Sequence, residues 1–186
     1  MMGKIRSLMM GKYRTLFLVV LFFIIGLAAS ALIRKFSSGN PNEEKLPQSA
    51  ILSLSSNKDQ VTAGEEFNVV MTLDSGDLEV AAADFVVHFE PKFIKAVSVS
   101  TGKFFNNYPI SVTGDDYIKI SGVASFDGNT LVLPKGKETV GVIKFQALSN
   151  KGRAVIKYNK ENTVVATAGQ NIIDQNKLAK IFIAVQ

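Results

Sequence analysis

The sequence predicts an antiparallel β-sandwich of about nine strands behind a single N-terminal transmembrane helix, and three observations carry that expectation. Thr15 to Ile33 (TLFLVVLFFIIGLAASALI) runs 19 residues without a charge. From residue 50 onward nearly every stretch alternates apolar and polar residues with a period of two, bounded by turn-forming residues. No stretch of that region carries a long amphipathic 3.6-residue pattern, which argues for sheet packed on sheet.

Taken in chain order, residues 1–14 form a basic segment (Lys4, Arg6, Lys12 and Arg14) expected on the cytoplasmic side. The apolar run at 15–33 spans about 28 Å as a helix, enough to cross the hydrocarbon core of a bilayer. Four cations precede it and two, Arg34 and Lys35, follow, so the positive-inside rule directs the C-terminal portion out of the cytoplasm. A cleaved signal peptide is the competing reading, since Ala29-Ser30-Ala31 fits a small-x-small cleavage site. The run is longer than an ordinary signal-peptide core and continues through Leu32 and Ile33, which favours an uncleaved anchor. The alternative product is a protein secreted after cleavage near Ala31. Residues 34–49, with Ser, Gly, Asn, two Pro and mixed charges, read as a flexible linker.

Residues 50–186 are long enough for one well-packed core. Phe67, Val69, Met71 and Leu73 alternate with polar residues, and Ala83, Phe85, Val87 and Phe89 alternate with Asp84, Val86 and His88. Further strands are expected at 50–54, 96–99, 117–124, 139–148, 154–158, 163–166 and 178–185. Thr62-Ala63-Gly64, Asp74-Ser75-Gly76-Asp77, Glu90-Pro91, Asp127-Gly128-Asn129 and Asn150-Lys151-Gly152 supply the turns. Phe104 and Phe105 are adjacent, so an extended backbone would send one to the core and the other to the rim or a ligand.

Charge and composition exclude several functions. The net charge of +5 lies wholly in residues 1–35, which carry +6 and leave −1 for the remainder. No nucleic-acid partner is expected, because phosphate neutralisation needs clustered cations on the folded surface. Without cysteine there is no disulfide, thiol nucleophile or zinc ribbon, and a Ser-His-Asp arrangement would have to pass through His88, the single histidine. The acidic pairs Glu65-Glu66 and Asp115-Asp116 sit beside turn glycines and read as solvated loops rather than glycosidase carboxylates. Asp127-Gly128-Asn129 lacks the spaced ligands of a calcium loop. No nucleotide fingerprint or nucleophile elbow is present. No catalytic residue, metal or cofactor is therefore expected.

The run Ala83-Asp84-Phe85-Val86-Val87-His88-Phe89-Glu90-Pro91, followed by the apolar stretch 93–99 and by Gly102-Lys103-Phe104-Phe105, resembles the cohesin domain and the related carbohydrate-binding modules of the same jelly-roll sandwich. Residues 118–124, 141–147, 152–158 and 163–165 resemble later strands of that domain, so the resemblance covers roughly 50–186. It implies a module that recognises a protein partner, dockerin-like partners included, through an exposed sheet face or serves cell-surface attachment; together with the anchor and the lack of catalytic residues, the expectation is a non-catalytic, extracytoplasmic binding module. Alternation places Ala82, Asp84, Val86, His88 and Glu90 on one face of their strand. Asp84 matches the family's acidic contact, whereas Ala82 stands where dockerin binders often have Asn, and Ser125 and Phe126 stand where they place acidic residues, so the expected partner is not a typical dockerin. The expected partner-binding set is thus Asp84, Val86, His88, Glu90 and Phe126. The runner-up is binding of a cell-surface polysaccharide, for which aromatic platforms are needed. Here tryptophan is absent, and the tyrosines beyond the anchor are Tyr108, Tyr117 and Tyr158.

Overall fold

The computed structural model describes residues 49–186. The basic segment at 1–14, the anchor expected at 15–33 and all but the last residue of the 34–49 linker lie outside the described residues. Fourteen strands follow: β1 (Ile51–Ser56), β2 (Gln60–Val61), β3 (Glu66–Asp74), β4 (Ala82–Phe89), β5 (Ile94–Thr101), β6 (Asn107–Thr113), β7 (Tyr117–Val123), β8 (Ser125–Asp127), β9 (Thr130–Val132), β10 (Lys137–Ala147), β11 (Gly152–Tyr158), β12 (Val164–Thr167), β13 (Gln170–Asn171) and β14 (Lys180–Val185).

All nine expected stretches form strands, and five more appear. Of these, β2 and β13 are two residues long, and β8 and β9 three each, too short to show a period. The fifth, β6, contains Pro109 and is almost wholly exposed. Its pairing with β7 shifts register between Asn107 and Ile110, so the proline falls in an irregular part of an edge strand, where a missing N–H does no harm.

A four-stranded sheet runs β1-β3-β10-β5, entirely antiparallel. In the larger sheet β4 is central. β7 pairs along one side of it, with β6 outside β7. The other side of β4 is shared: β12 pairs with residues 82–84 and β11 with residues 87–89. From there β11 leads to β14, and β12 to β13. The expectation of an antiparallel sandwich needs correction at two places: β14 and β2 run parallel at the sheet's end, and Ala50 makes an isolated parallel bridge with Ile173. β8 and β9 make a separate hairpin, with Gly128 at φ +57° in its two-residue turn.

The inward positions of the two sheets meet in one core. Phe67 and Phe145 stack at 5.6 Å, and Phe145 meets Phe89 of the opposite sheet edge-on at 5.2 Å. Met71, Leu73, Phe85, Ile118, Ile120, Ile143, Ile156 and Ile183 are fully buried around them. Removing each such side chain from water contributes about 1.5–3 kcal/mol. Tyr158 joins them, its hydroxyl donating to the Ser53 carbonyl at 3.3 Å, and burial pushes its phenol pKa far up.

Phe104 and Phe105 correct the sequence reading, for both are buried. The chain is not extended there: Lys103 and Phe104 both donate N–H groups to the Thr139 carbonyl, and the turn swings both rings inward. The Phe105 ring occupies the space where a side chain at position 122 would sit, so Gly122 in β7 admits it.

Candidate docking face

The handover on β4 creates the site. At Val86 the strand has left β12 and not yet reached β11, so its backbone groups need other partners. Thr163, fully buried, supplies them: its hydroxyl accepts the Val86 N–H at 3.3 Å and donates to the Val86 carbonyl at 3.2 Å. The Asn159 N–H reaches the same carbonyl at 2.7 Å. The intervening loop is held by Asn159, whose Oδ1 accepts the N–H groups of Glu161 and Asn162, both at 2.9 Å. A rigid bump thus rises on the outer face beside β4.

Between that bump and β7 lies a groove of about 520 Å³. Asp84, Val86 and His88 run along it from β4. Tyr117 and Lys119 of β7 form one wall, and Glu161, Asn162 and Val164 the other. Asp84 is clamped, accepting from the buried Ser121 hydroxyl and from Lys119 Nζ at 3.0 Å. His88 Nδ1 lies 3.6 Å from Asp116 Oδ2, and its ring lies against Tyr117 with centroids 6.1 Å apart. The register then sets Ile110 opposite Ser121 and Val112 opposite Lys119. Ile110, Val112 and Tyr117 therefore form an exposed apolar flank on the same face. Apolar flank, clamped carboxylate and rigid wall make a surface suited to a folded partner with few mobile groups to order on binding.

The five residues expected to bind a partner do not share one environment. Asp84 and His88 line the groove as alternation requires. Val86 also faces it but is only 6% exposed, so it is floor rather than projecting contact; the loop from Asn159 to Thr163, far off in sequence, covers it. Glu90 lies beyond the end of β4, and its Oε2 accepts the Val155 N–H at 2.9 Å instead of lining the groove. Phe126, 70% exposed, stands on β8 past the Val123 end of β7, whereas His88 pairs with Tyr117 at the other end. Sequence reasoning missed Ser121, Ile110, Val112 and the Glu161-Asn162 wall; a Ser opposite Asp84 was the signal, but only the register reveals it.

Other acidic groups are tied locally. Lys58 and Thr62 hydrogen-bond to the Glu65 carboxylate and hold its pKa down at about 2, and Glu66 pairs with Lys144. Among the described residues no group of three or more His, Asp or Glu stands together to hold a metal ion. Tyr158 is core and Tyr108 half-buried, its hydroxyl accepting the Phe105 N–H, so Tyr117 is the exposed tyrosine of the described residues.

The chain matches the family model described as "Cohesin domain" over residues 52–181. Solved structures agree in fold. The cohesin of a type I cohesin–dockerin complex from Clostridium thermocellum superposes with a TM-score of 0.60 at 14% identity, covering 75% of this chain and 100% of the other. A type II cohesin domain from the cellulosome of Acetivibrio cellulolyticus gives 0.57 at 12% identity over 73% and 95%. A cohesin module from a family 33 glycoside hydrolase of Clostridium perfringens gives 0.53 at 13% identity over 74% and 98%. A search of curated proteins finds no match. The two-sheet sandwich and the family match define an all-β cohesin-type module. This chain belongs to the cohesin domain family.

Proposed function

We propose that this protein is a membrane-anchored, extracytoplasmic cohesin module that docks a dockerin-like protein partner and performs no catalysis itself. The partner lies across β6, β7, β4 and β12. The observation that carries the reading is the groove beside Val86, with Asp84 pre-oriented by Ser121 and Lys119 and flanked by Ile110, Val112 and Tyr117. A fixed carboxylate lowers the ordering cost of binding, and the apolar flank supplies surface to bury. The solved cohesins that share the fold include members crystallised with dockerins, which supports the partner class. The uncharged run at 15–33 and its flanking cations support a single-pass anchor with a cytoplasmic N-terminus. Such a tether keeps the module at high effective concentration near the membrane.

Titration of the protein with a panel of dockerins tests the docking reading. Binding by at least one dockerin, weakened about tenfold or more by Asp84→Ala, is expected. No binding across the panel, or binding indifferent to Asp84→Ala, refutes the face. Cell fractionation with an intact-mass measurement tests the anchor: an uncleaved chain in the membrane fraction is expected, and a mass corresponding to cleavage after Ala31 overturns it.

A further inference from the structure

The outer face of the larger sheet does not stop at the groove. Its register carries one row of side chains across four strands, with Tyr117 opposite His88, His88 opposite Lys157 and Lys157 opposite Lys180. A hollow of about 470 Å³ bordered by His88, Lys157, Lys160 and Glu161 adjoins the groove and shares His88 and Glu161 with it. Beyond it, the exposed positions of β11 and β14 hold Arg153, Lys157, Lys180 and Phe182. The Arg153 guanidinium lies 4.0 Å from the Phe182 ring centroid and Lys180 Nζ lies 5.8 Å from it, so one ring steadies two cationic heads.

This concentration of charge is local. The described residues carry fourteen Lys and Arg against fourteen Asp and Glu. Four carboxylates lie near the patch: Glu90, engaged by the Val155 N–H, Glu161 at its border, Asp116 against His88, and Asp174, which pairs with Lys177 and also feels the charge of Lys160. None forms a salt bridge with Arg153, Lys157, Lys160 or Lys180 among the described residues; Lys160 donates to Asn176 instead. Like charges directly opposite in an antiparallel pair repel, so Lys157 facing Lys180 weakens the strand pair that holds it. An anion laid over both would relieve that repulsion.

We infer that this cationic half of the face is a second contact region for the docked protein, occupied by an acidic segment that flanks the element in the groove. The inference rests on the docking reading above. A peptide fits better than a bare polyanion, because Val155 and Phe182 sit opposite one another between the cations and offer apolar contact at alternate positions. The patch is continuous with the groove, so one chain can cross from one to the other without a break.

The test titrates the full chain, Lys157→Glu and Asp84→Ala with a synthetic Glu-rich peptide carrying interspersed Leu, and separately with inorganic polyphosphate. The unaltered chain should bind the peptide with affinity that falls as salt rises. Lys157→Glu should weaken the peptide at least about tenfold while raising the thermal midpoint, since it places opposite charges across β11 and β14. Loss of binding in a more stable variant cannot be a folding defect. Asp84→Ala should leave the peptide unaffected, so a dockerin panel that fails while the peptide still binds strikes the groove reading alone. No peptide binding, undiminished binding by Lys157→Glu, or polyphosphate binding as tight as the peptide's overturns the inference.

Discussion

The two sheets of this sandwich share a core but differ on their outer faces. On the four-stranded sheet, β3 pairs with β1 without a break and β10 keeps both of its partners through one register shift on each side; apart from Val70, the outward positions of β3 are polar, with Lys144 reaching Glu66 at 3.3 Å. On the larger sheet, β4 changes partner in mid-strand, and a loop closed by a buried threonine stands up beside the gap. Regular pairing makes a wall, while an interrupted ladder with its polar groups satisfied makes a site. The groove is therefore built by the backbone of β4, and the side chains around it decorate a shape already made.

The inner faces should not distinguish the sheets, and that is where the largest effect is expected. Phe145 of the four-stranded sheet touches Phe67 beside it and Phe89 across the core. Phe145→Ala should destabilise the domain by about 3–5 kcal/mol in a chemical denaturation experiment. A loss below about 1 kcal/mol would mean that the two sheets are not held by one core.

The outer faces should then separate. Thr163→Val keeps shape but leaves the Val86 N–H without a partner and takes one from its carbonyl, at a cost of about 1–3 kcal/mol. Thr72→Val, on the outer face of β3, should change stability by no more than about 0.5 kcal/mol, since β-branched residues suit a strand and no hydrogen bond of its side chain is lost. Equal effects in paired denaturation curves would break the comparison. If Thr163→Val also weakens binding of a dockerin that Thr72→Val leaves unaltered, the handover is tied to the groove directly.

The same division explains what could be read from the sequence. Alternation in Phe67–Leu73 and Ala83–Phe89 is a local pattern, and every strand that has it was legible. Asp84 and His88 were legible as outward residues for that reason. Val86 was not, because its covering comes from Asn159–Thr163, and alternation along β4 carries no information about a loop some 75 residues away in sequence. Phe104 and Phe105 differ in kind: period-two alternation holds only for extended backbone, and here the N–H groups of Lys103 and Phe104 bend back onto Thr139. β6 hid behind Pro109, although its outward Ile110 and Val112 are the apolar part of the candidate site.

Salt bridges offer a smaller contrast. Lys144 and Glu66 are both more than a third exposed, so Lys144→Ala should cost no more than about 0.5 kcal/mol and should not touch partner binding. Lys119→Ala, by contrast, releases Asp84 from one of its two partners in the groove. Its effect should be seen in affinity for a dockerin rather than in the unfolding midpoint, and a purely stability-based loss would remove the clamp from the docking argument.

The smallest effect belongs to the place where the chain crosses between the sheets, from β2 in the larger to β3 in the smaller. There Glu65 accepts from Lys58 Nζ at 2.7 Å and from both the N–H and hydroxyl of Thr62, and these bonds to the charged form, that with Lys58 first, hold its pKa at about 2. In the unfolded chain the group titrates near the ordinary value of 4.5. A carboxyl depressed in the folded state stabilises fully above its unfolded pKa, and that contribution is lost as pH falls through the window from about 4.5 to 2. Because the group is solvent-exposed, salt and water weaken the contribution, and only the difference between two curves can show it. The thermal midpoint of the unaltered chain should therefore decline more steeply between pH 5 and pH 2 than that of Glu65→Gln, with the two curves running parallel above about pH 5. High salt should shrink the gap. Parallel curves throughout would mean that this crossing is held by Thr62 and its backbone bonds alone, with the charge of Glu65 idle.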